Sequence, residues 1–339
     1  MLEKAKLTKT YDRLIKTVII IASYAYIYFQ VFHGENYKLV LDNFKHLILN
    51  GSIIIPLIIV FFLMFINWSV EALKWRYMIA KVEKIIFIRS FKAILAGISV
   101  SSFTPNRVGE FFGRVFILKV ANPWKAIFIT LIGSMSQLLV TILAGSFSLT
   151  ILGKMYFQSN EQNLRIFFYT IVFILLIADI GLVMMYFNVS FIITFINRII
   201  KKRWKRIRSY MIVFSAYSNK ELAHIFWLSF LRYCIFSFQF YILLKAFQVP
   251  VSLAESLLLI SFIYFAMAAI PTIALAELGI RGSVAVGVFS FYFNTIHYND
   301  AINPIAIIAA SSVLWLINLA LPAIIGTFFV GRLHFFYRK

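Results

Sequence analysis

Long apolar runs separated by short polar stretches dominate the chain. Uninterrupted apolar segments fall at 14–32, 52–73, 126–152, 166–188, 223–247 and 304–330. Each approaches or exceeds the roughly 20 residues that a helix needs to cross a bilayer. Two further regions, 91–120 and 254–293, are apolar but interrupted near the middle by Pro105 and Pro271. Proline lacks an N–H and disfavours helix in the residue before it, so each region reads as two helices around a break. Arms of about 13 residues are short for a full crossing at 1.5 Å per residue. The pattern therefore predicts an all-α polytopic membrane protein: six full spans plus two Pro-broken re-entrant hairpins, or eight spans if the broken regions are counted as crossings.

Composition agrees. The chain is 62% hydrophobic and 14% charged, against about half and a quarter in soluble domains. The longest polar stretches leave no room for a separate soluble catalytic domain. The apolar run after the charged first residues lacks a small-residue cleavage site, so it reads as a retained span and not a removed signal peptide.

The formal net charge of +20 admits two explanations, nucleic acid or membrane topology. Basic residues of membrane proteins accumulate in cytoplasmic loops. With both broken regions drawn as hairpins, the basic-rich N-terminal tail, 74–92, 198–220 and C-terminal tail all fall on one side. The basic-poor loops fall on the other. This places both termini in the cytoplasm and requires no nucleic-acid partner. Four arginines are left at membrane depth: Arg107, Arg114, Arg232 and Arg281.

Three of these four belong to an internal repeat. TPNRVGEFFGR (104–114) and PTIALAELGIR (271–281) each place a Pro five or six residues before a Glu, and an Arg four residues after it. Glu110 with Arg114, and Glu277 with Arg281, share a helix face and can pair. Each half of the chain reads as span, span, broken region, span, and the two halves begin on opposite sides. That is the inverted-repeat plan in which broken helices meet near the midplane. The first repeat covers 1–190, with its broken region at 91–120. A basic amphipathic linker occupies 191–222. The second repeat continues over 223–339 with its broken region at 254–293, and also takes in the span 166–188. The segment 195–214 combines Lys and Arg with Ile, Trp and Tyr and reads as a surface helix on an anionic leaflet.

With these residues in view, the sequence resembles the flippase-like family, also called the lysylphosphatidylglycerol synthase transmembrane region. That family forms the membrane half of the multiple peptide resistance factor and also occurs alone. Pro105, Arg107, Gly109, Glu110, Arg114, Pro271, Gly279 and Arg281 match its motif positions. This chain departs from the pattern in placing Glu277 before Arg281, with Gly282 where an acid commonly follows the arginine. The resemblance covers essentially the whole chain and is to the stand-alone form, without an aminoacyl-transfer domain, so the chain is not expected to make lysyl-lipid by itself. It implies the bacterial inner membrane, and translocation there of an anionic or aminoacylated phospholipid or a lipid-linked precursor.

On this reading Arg107, Arg114 and Arg281 contact an anionic head group, helped by helix N-termini. Glu110 and Glu277 hold those arginines or bind an amine on the head group. The rival for each pair is a salt bridge that only staples its hairpin. Asp179 and Arg232 lie at similar depths and are candidates for a structural pair, with a proton-coupling site at Asp179 as the sharper alternative. Three other functions fit the same charges: an enzyme acting on a lipid phosphate, a scaffold for a separate synthase or glycosyltransferase, and a small-anion carrier. The chain has one cysteine, Cys234, and five scattered histidines. They offer no disulfide and no metal motif. No nucleophile motif appears either, so neither a cofactor nor enzymatic activity is expected.

Overall fold

The computed structural model describes residues 51–102, 104, 107–157, 162–188, 210, 212–270, 274–296 and 303–330. The first expected span, most of the 191–222 linker, and both Pro105 and Pro271 lie outside them. The described residues form nine α-helices and no strand. These are α1 (Ile54–Ile79), α2 (Phe87–Ser101), α3 (Gly109–Val115), α4 (Pro123–Phe157), α5 (Gln162–Phe187), α6 (Asn219–Ala246), α7 (Leu253–Ala269), α8 (Ala274–Ile296) and α9 (Pro304–Val330). A π-helical turn, Leu316–Ala320, interrupts α9. Five of the helices, α1, α4, α5, α6 and α9, are long and apolar enough to cross a membrane. The chain is an all-α, multi-pass membrane protein.

Helix starts are written locally. Pro123 and Pro304 open α4 and α9, where the missing proline N–H costs nothing. The preceding asparagines cap them. Asn122 Oδ1 accepts the Trp124 N–H at 3.0 Å, and Asn303 Oδ1 accepts those of Ile305 and Ala306 at 3.1 and 3.3 Å. Ser218 and Ser252 start α6 and α7 with capping boxes closed by Glu221 and Glu255. Each box satisfies N–H groups that the first turn leaves open.

The packing is reciprocal. α1 and α6 lie against each other. α9 packs on α2, the first arm of the first broken region, and α4 packs on α7, the first arm of the second. Both contacts pass through a glycine. A Cβ on Gly326 would lie 2.0 Å from the Leu95 carbonyl oxygen of α2, and a Cβ on Gly145 would lie 2.2 Å from Phe265 Cβ of α7. Gly145 and Gly326 sit equally far along their helices from Pro123 and Pro304. Absent side chains let membrane helices approach closely, and packing at short range is what holds helices together in lipid. One core gathers Trp75, Met78, Ile94, Ile98 and Ile129. A second gathers Phe240, Leu243, Ile260, Phe289 and Ile307. α5 is peripheral, with Phe173, Ile177 and Met184 more than half exposed. A wholly apolar exposed helix is stable against lipid and not against water.

Two expectations change. The first span of this part of the chain does not end near residue 73. α1 continues to Ile79 and carries Lys74 into the bundle, where the side chain is 1% exposed, so Lys74 is not a loop cation. The broken regions are not matched pairs of short arms. α2 and α3 have 15 and 7 residues, whereas α7 and α8 have 17 and 23. α8 is roughly 34 Å long, comparable to the hydrocarbon core itself. Apart from these expectations, Glu83 serves as a fastening in the α1–α2 connection. Its carboxylate accepts the N–H groups of Lys119, Val120 and Ala121 and lies 3.2 Å from Arg89.

Burial pulls the Glu83 carboxyl upward, but those three N–H groups and Arg89 outweigh it and hold its pKa below the usual carboxylate value. The stability it contributes is therefore present above the unfolded carboxylate pKa and lost as pH falls through the lowered folded value. Thermal unfolding across the acid range should show that loss in the native protein and a flatter profile in Glu83→Gln. For the helix contacts, Gly326→Ala should destabilise by roughly 1–3 kcal/mol through overpacking. Gly287→Ala, whose Cβ meets nothing within 4 Å, should stabilise by up to about 1 kcal/mol through helix propensity. Unfolding midpoints in one detergent check both.

Candidate functional site

The site begins with the spacing on α1. Asn67, Trp68, Glu71, Lys74 and Trp75 recur every three or four residues, so they share one face, and that face is buried. Glu71 is its centre. Its Oε1 lies 2.8 Å from Arg114 Nη1, and its Oε2 lies 2.7 Å from Lys74 Nζ and 3.1 Å from Arg232 Nη1. Lys74 also donates to Ser229 Oγ at 3.2 Å and to the Gly133 carbonyl at 3.5 Å. Arg114 donates to Glu110 as well. One carboxylate on the first helix thus ties together α1, α3 and α6.

Arg114 reaches Glu71 because α3 sits almost on the backbone of α2. A Cβ on Gly109 would come within 2.4 Å of the Val100 carbonyl oxygen, and one on Gly113 within 2.7 Å of Gly97 Cα. Thr104 Oγ1 accepts the Gly109 N–H at 2.8 Å and helps start this short helix. Just before it, Arg107 adopts φ 56°. Left-handed backbone at a residue other than glycine costs about 1–3 kcal/mol and persists where its surroundings enforce it.

The enforcing contact lies in the other half of the chain. Arg107 Nη2 is 2.6 Å from Glu277 Oε1, and Arg281 Nη2 is 2.8 Å from the same oxygen. Glu277 is 6% exposed at its side chain, whereas Arg107 is 39% exposed. The two broken regions therefore meet, and the joint between them is a carboxylate shared by two guanidiniums.

Beside this joint is a cavity of about 630 Å³. Its ionisable lining, apart from tyrosines, is Arg107, Arg232, Glu277 and Arg281. Trp68, Tyr233, Tyr264 and Asn318 complete much of the wall. Arg232 lies with its Cζ 4.6 Å from the Trp68 ring centroid, a cation–π contact that holds the guanidinium flat. Trp68 Nε1 donates to the Asn318 carbonyl at 3.2 Å, in the π-helical turn. Such turns often occur at functional sites because they free a carbonyl from the helix ladder. Nε of Arg232 and of Arg281 is buried with no hydrogen-bond partner among the described residues. Buried donors without partners are costly and call for a ligand or water. Among the described residues, no three His, Cys, Asp or Glu side chains group so as to hold a metal ion.

The expected site residues divide. Arg107, Glu277 and Arg281 come together at the cavity. Glu110 and Arg114 pair with each other as the i, i+4 spacing implies, but neither lines the cavity. The glycine contacts of α3 turn Arg114 into the bundle, where it is 3% exposed and binds Glu71. Arg232 does not meet Asp179. It takes Glu71 instead, and Asp179, on peripheral α5, accepts a hydrogen bond from Ser146 Oγ at 3.2 Å. Gly109 is required by packing. Gly279 is not, since a Cβ there meets nothing within 4 Å. Glu71, Lys74 and Trp68 escaped sequence reading, because WSVEALKW resembles the charged end of a span. The signal was the aromatic and ionic residues recurring at helical spacing.

An apolar helical bundle built around a buried ionic network and a polar cavity defines a multi-pass membrane protein with an internal site. Residues 14–326 match the family model described as the lysylphosphatidylglycerol synthase TM region, and the chain belongs to that family. No curated protein and no solved structure matches the chain. Membership gives it a membrane role related to lysylphosphatidylglycerol synthesis or flipping, and membrane lipids fit as its partners.

Breaking a buried ion network by removing one member leaves uncompensated charge and costs about 3–5 kcal/mol. Glu71→Gln should therefore lower the unfolding midpoint sharply. Asp179→Asn should leave it unchanged or raise it, because the carboxylate has a single hydroxyl partner on a lipid-facing helix. Thermal unfolding of the purified variants distinguishes the two.

Proposed function

We propose that the protein moves an anionic lipid, or a lipid-linked precursor, across the bacterial inner membrane. The observation that carries this reading is the joint at Glu277. It links the two broken regions through Arg107 and Arg281, directly beside a cavity rich in guanidinium groups. Charge at membrane depth is expensive and usually marks a substrate path. Guanidinium is the side chain best matched to a phosphate, through its forked donors.

A second observation favours a lipid over a small anion. An apolar groove runs along Leu57, Phe61, Phe62, Val313 and Leu316. It uses the same two helices, α1 and α9, that contribute Trp68 and Asn318 to the cavity. The head group then occupies the cavity and an acyl chain lies in the groove, with the seam between α1 and α9 as the way from one to the other.

The reciprocal contacts of α2 with α9 and of α4 with α7 support a reading as two inverted repeats, 1–190, and 223–339 together with the span 166–188, joined by the 191–222 linker. Rocking of one repeat against the other about the α1–α6 contact would open the site to each leaflet in turn. The Arg107–Glu277 bridge is the element such a motion breaks and remakes.

Transbilayer movement of labelled anionic lipids in liposomes tests this reading. Wild-type protein should accelerate movement. Glu277→Gln, which removes the negative charge that the two arginines share, should abolish it at equal thermal stability. Glu110→Gln should reduce it less, because Glu110 lies outside the cavity. Movement at the wild-type rate in Glu277→Gln would remove that carboxylate from the mechanism. No movement of any anionic lipid by folded protein would contradict translocation.

A further inference from the structure

The head-group class follows from a charge balance. Glu71 and Glu110 hold Lys74 and Arg114 in the sealed part of the network, and Glu71 also holds Arg232 at the cavity wall. Taken together with the cavity lining, five cations, Lys74, Arg107, Arg114, Arg232 and Arg281, share three carboxylates, Glu71, Glu110 and Glu277. Among the described residues the joined network therefore carries two positive charges in excess. The donors are also under-used. Arg107, Arg232 and Arg281 each give a carboxylate one nitrogen, and Nε of Arg232 and of Arg281 has no hydrogen-bond partner among the described residues.

The acceptor side is committed in the opposite sense. Glu277 is the only carboxylate among the described residues that line the cavity, and it lies within 3 Å of two guanidiniums that share one of its oxygens. An ammonium brought to Glu277 would be repelled by Arg107 and Arg281 at close range. Like charges within a few ångströms cost several kcal/mol even at an effective dielectric of about 20. Trp68, one aromatic face of the cavity wall, already carries Arg232.

We infer that the cavity selects a lipid phosphomonoester, a head group with two negative charges and no amine, over phosphodiester and aminoacylated lipids. This rests on the lipid-translocation reading and narrows it. A terminal phosphate presents three oxygens to three guanidiniums and supplies the two charges the network lacks. Bidentate guanidinium–phosphate contacts give the geometry as well as the charge. A phosphodiester supplies one charge. A lysyl ester on that diester adds cations where the network already has an excess.

The test uses the full chain in phosphatidylcholine nanodiscs, each containing a minor fraction of one probe lipid. The probes are phosphatidate, phosphatidylmethanol (the same phosphate with one charge capped as a methyl ester) and lysylphosphatidylglycerol. Soluble glycerol phosphate is the fourth probe. Binding is read by competition and by the shift in unfolding midpoint. Phosphatidate should bind about tenfold or more tightly than phosphatidylmethanol, as expected for one additional close charge pair. Lysylphosphatidylglycerol should bind more weakly than both. Arg281→Gln should erase the preference for phosphatidate, and Arg281→Lys, which keeps the charge, should retain most of it.

Equal binding of phosphatidate and phosphatidylmethanol, or tightest binding of the lysyl lipid, would overturn the inference and leave a lipid site of another class. Retention of the full preference in Arg281→Gln would also overturn it, by moving the phosphate elsewhere. Binding of glycerol phosphate as tight as that of phosphatidate would mean that the acyl chains contribute nothing, and would overturn the lipid reading itself. Failure of every probe to bind folded protein would do the same.

Discussion

An ionised side chain inside an apolar bundle must have partners, and this requirement organises the molecule. Glu71 gathers a lysine and two arginines from three helices, and Glu277 gathers two arginines from both halves of the chain. Neither knot can form unless the backbones approach closely, which explains the glycine contacts between α2 and α3. The left-handed backbone at Arg107 has the same origin, because the conformation that costs energy locally delivers a guanidinium to Glu277. Buried ion pairs are weak contributors to net stability, but losing one member is severe. Such knots fix one arrangement of helices against its alternatives.

A second regularity is the exchange of partners between halves. The helix following each broken region packs on the first arm of the other one. The crossing glycines, Gly145 and Gly326, lie at matching positions in helices that both begin with an asparagine cap and a proline. The α2–α9 and α4–α7 contacts clasp each broken region with a helix from the other half of the chain, beside the polar joint. Irregular backbone is tolerated at membrane depth only when buried in protein or lining a wet cavity. Among the described residues, the joined network at the cavity then holds more guanidinium and ammonium groups than carboxylates.

Much of this was legible in the residues. The spans follow from apolar length, because lipid demands helices with satisfied backbones. The Glu–Arg pairs at 110/114 and 277/281 follow from i, i+4 geometry. Contacts between elements distant in sequence were not legible. Nothing local in Arg107 points to Glu277, and nothing local in Arg232 chooses Glu71 over Asp179. Glu71 and Lys74 were hidden by their place near the end of a span, where charges usually meet water. The unequal arms of α7 and α8 were also missed, since a proline marks where a helix breaks and not how far the next one runs. The ANPW and INPI segments at the starts of α4 and α9 were also legible, because helix-capping rules read an asparagine followed by a proline as a helix start.

The most direct test of the account is an experimental structure of the protein in nanodiscs made from its native membrane lipids. The account predicts a phosphate within hydrogen-bonding distance of Arg107 and Arg281, beside Arg232, with an acyl chain leaving along α1 and α9. Phosphates confined to the two bilayer surfaces, with Arg107 and Glu277 apart and no head group between the broken regions, would contradict it.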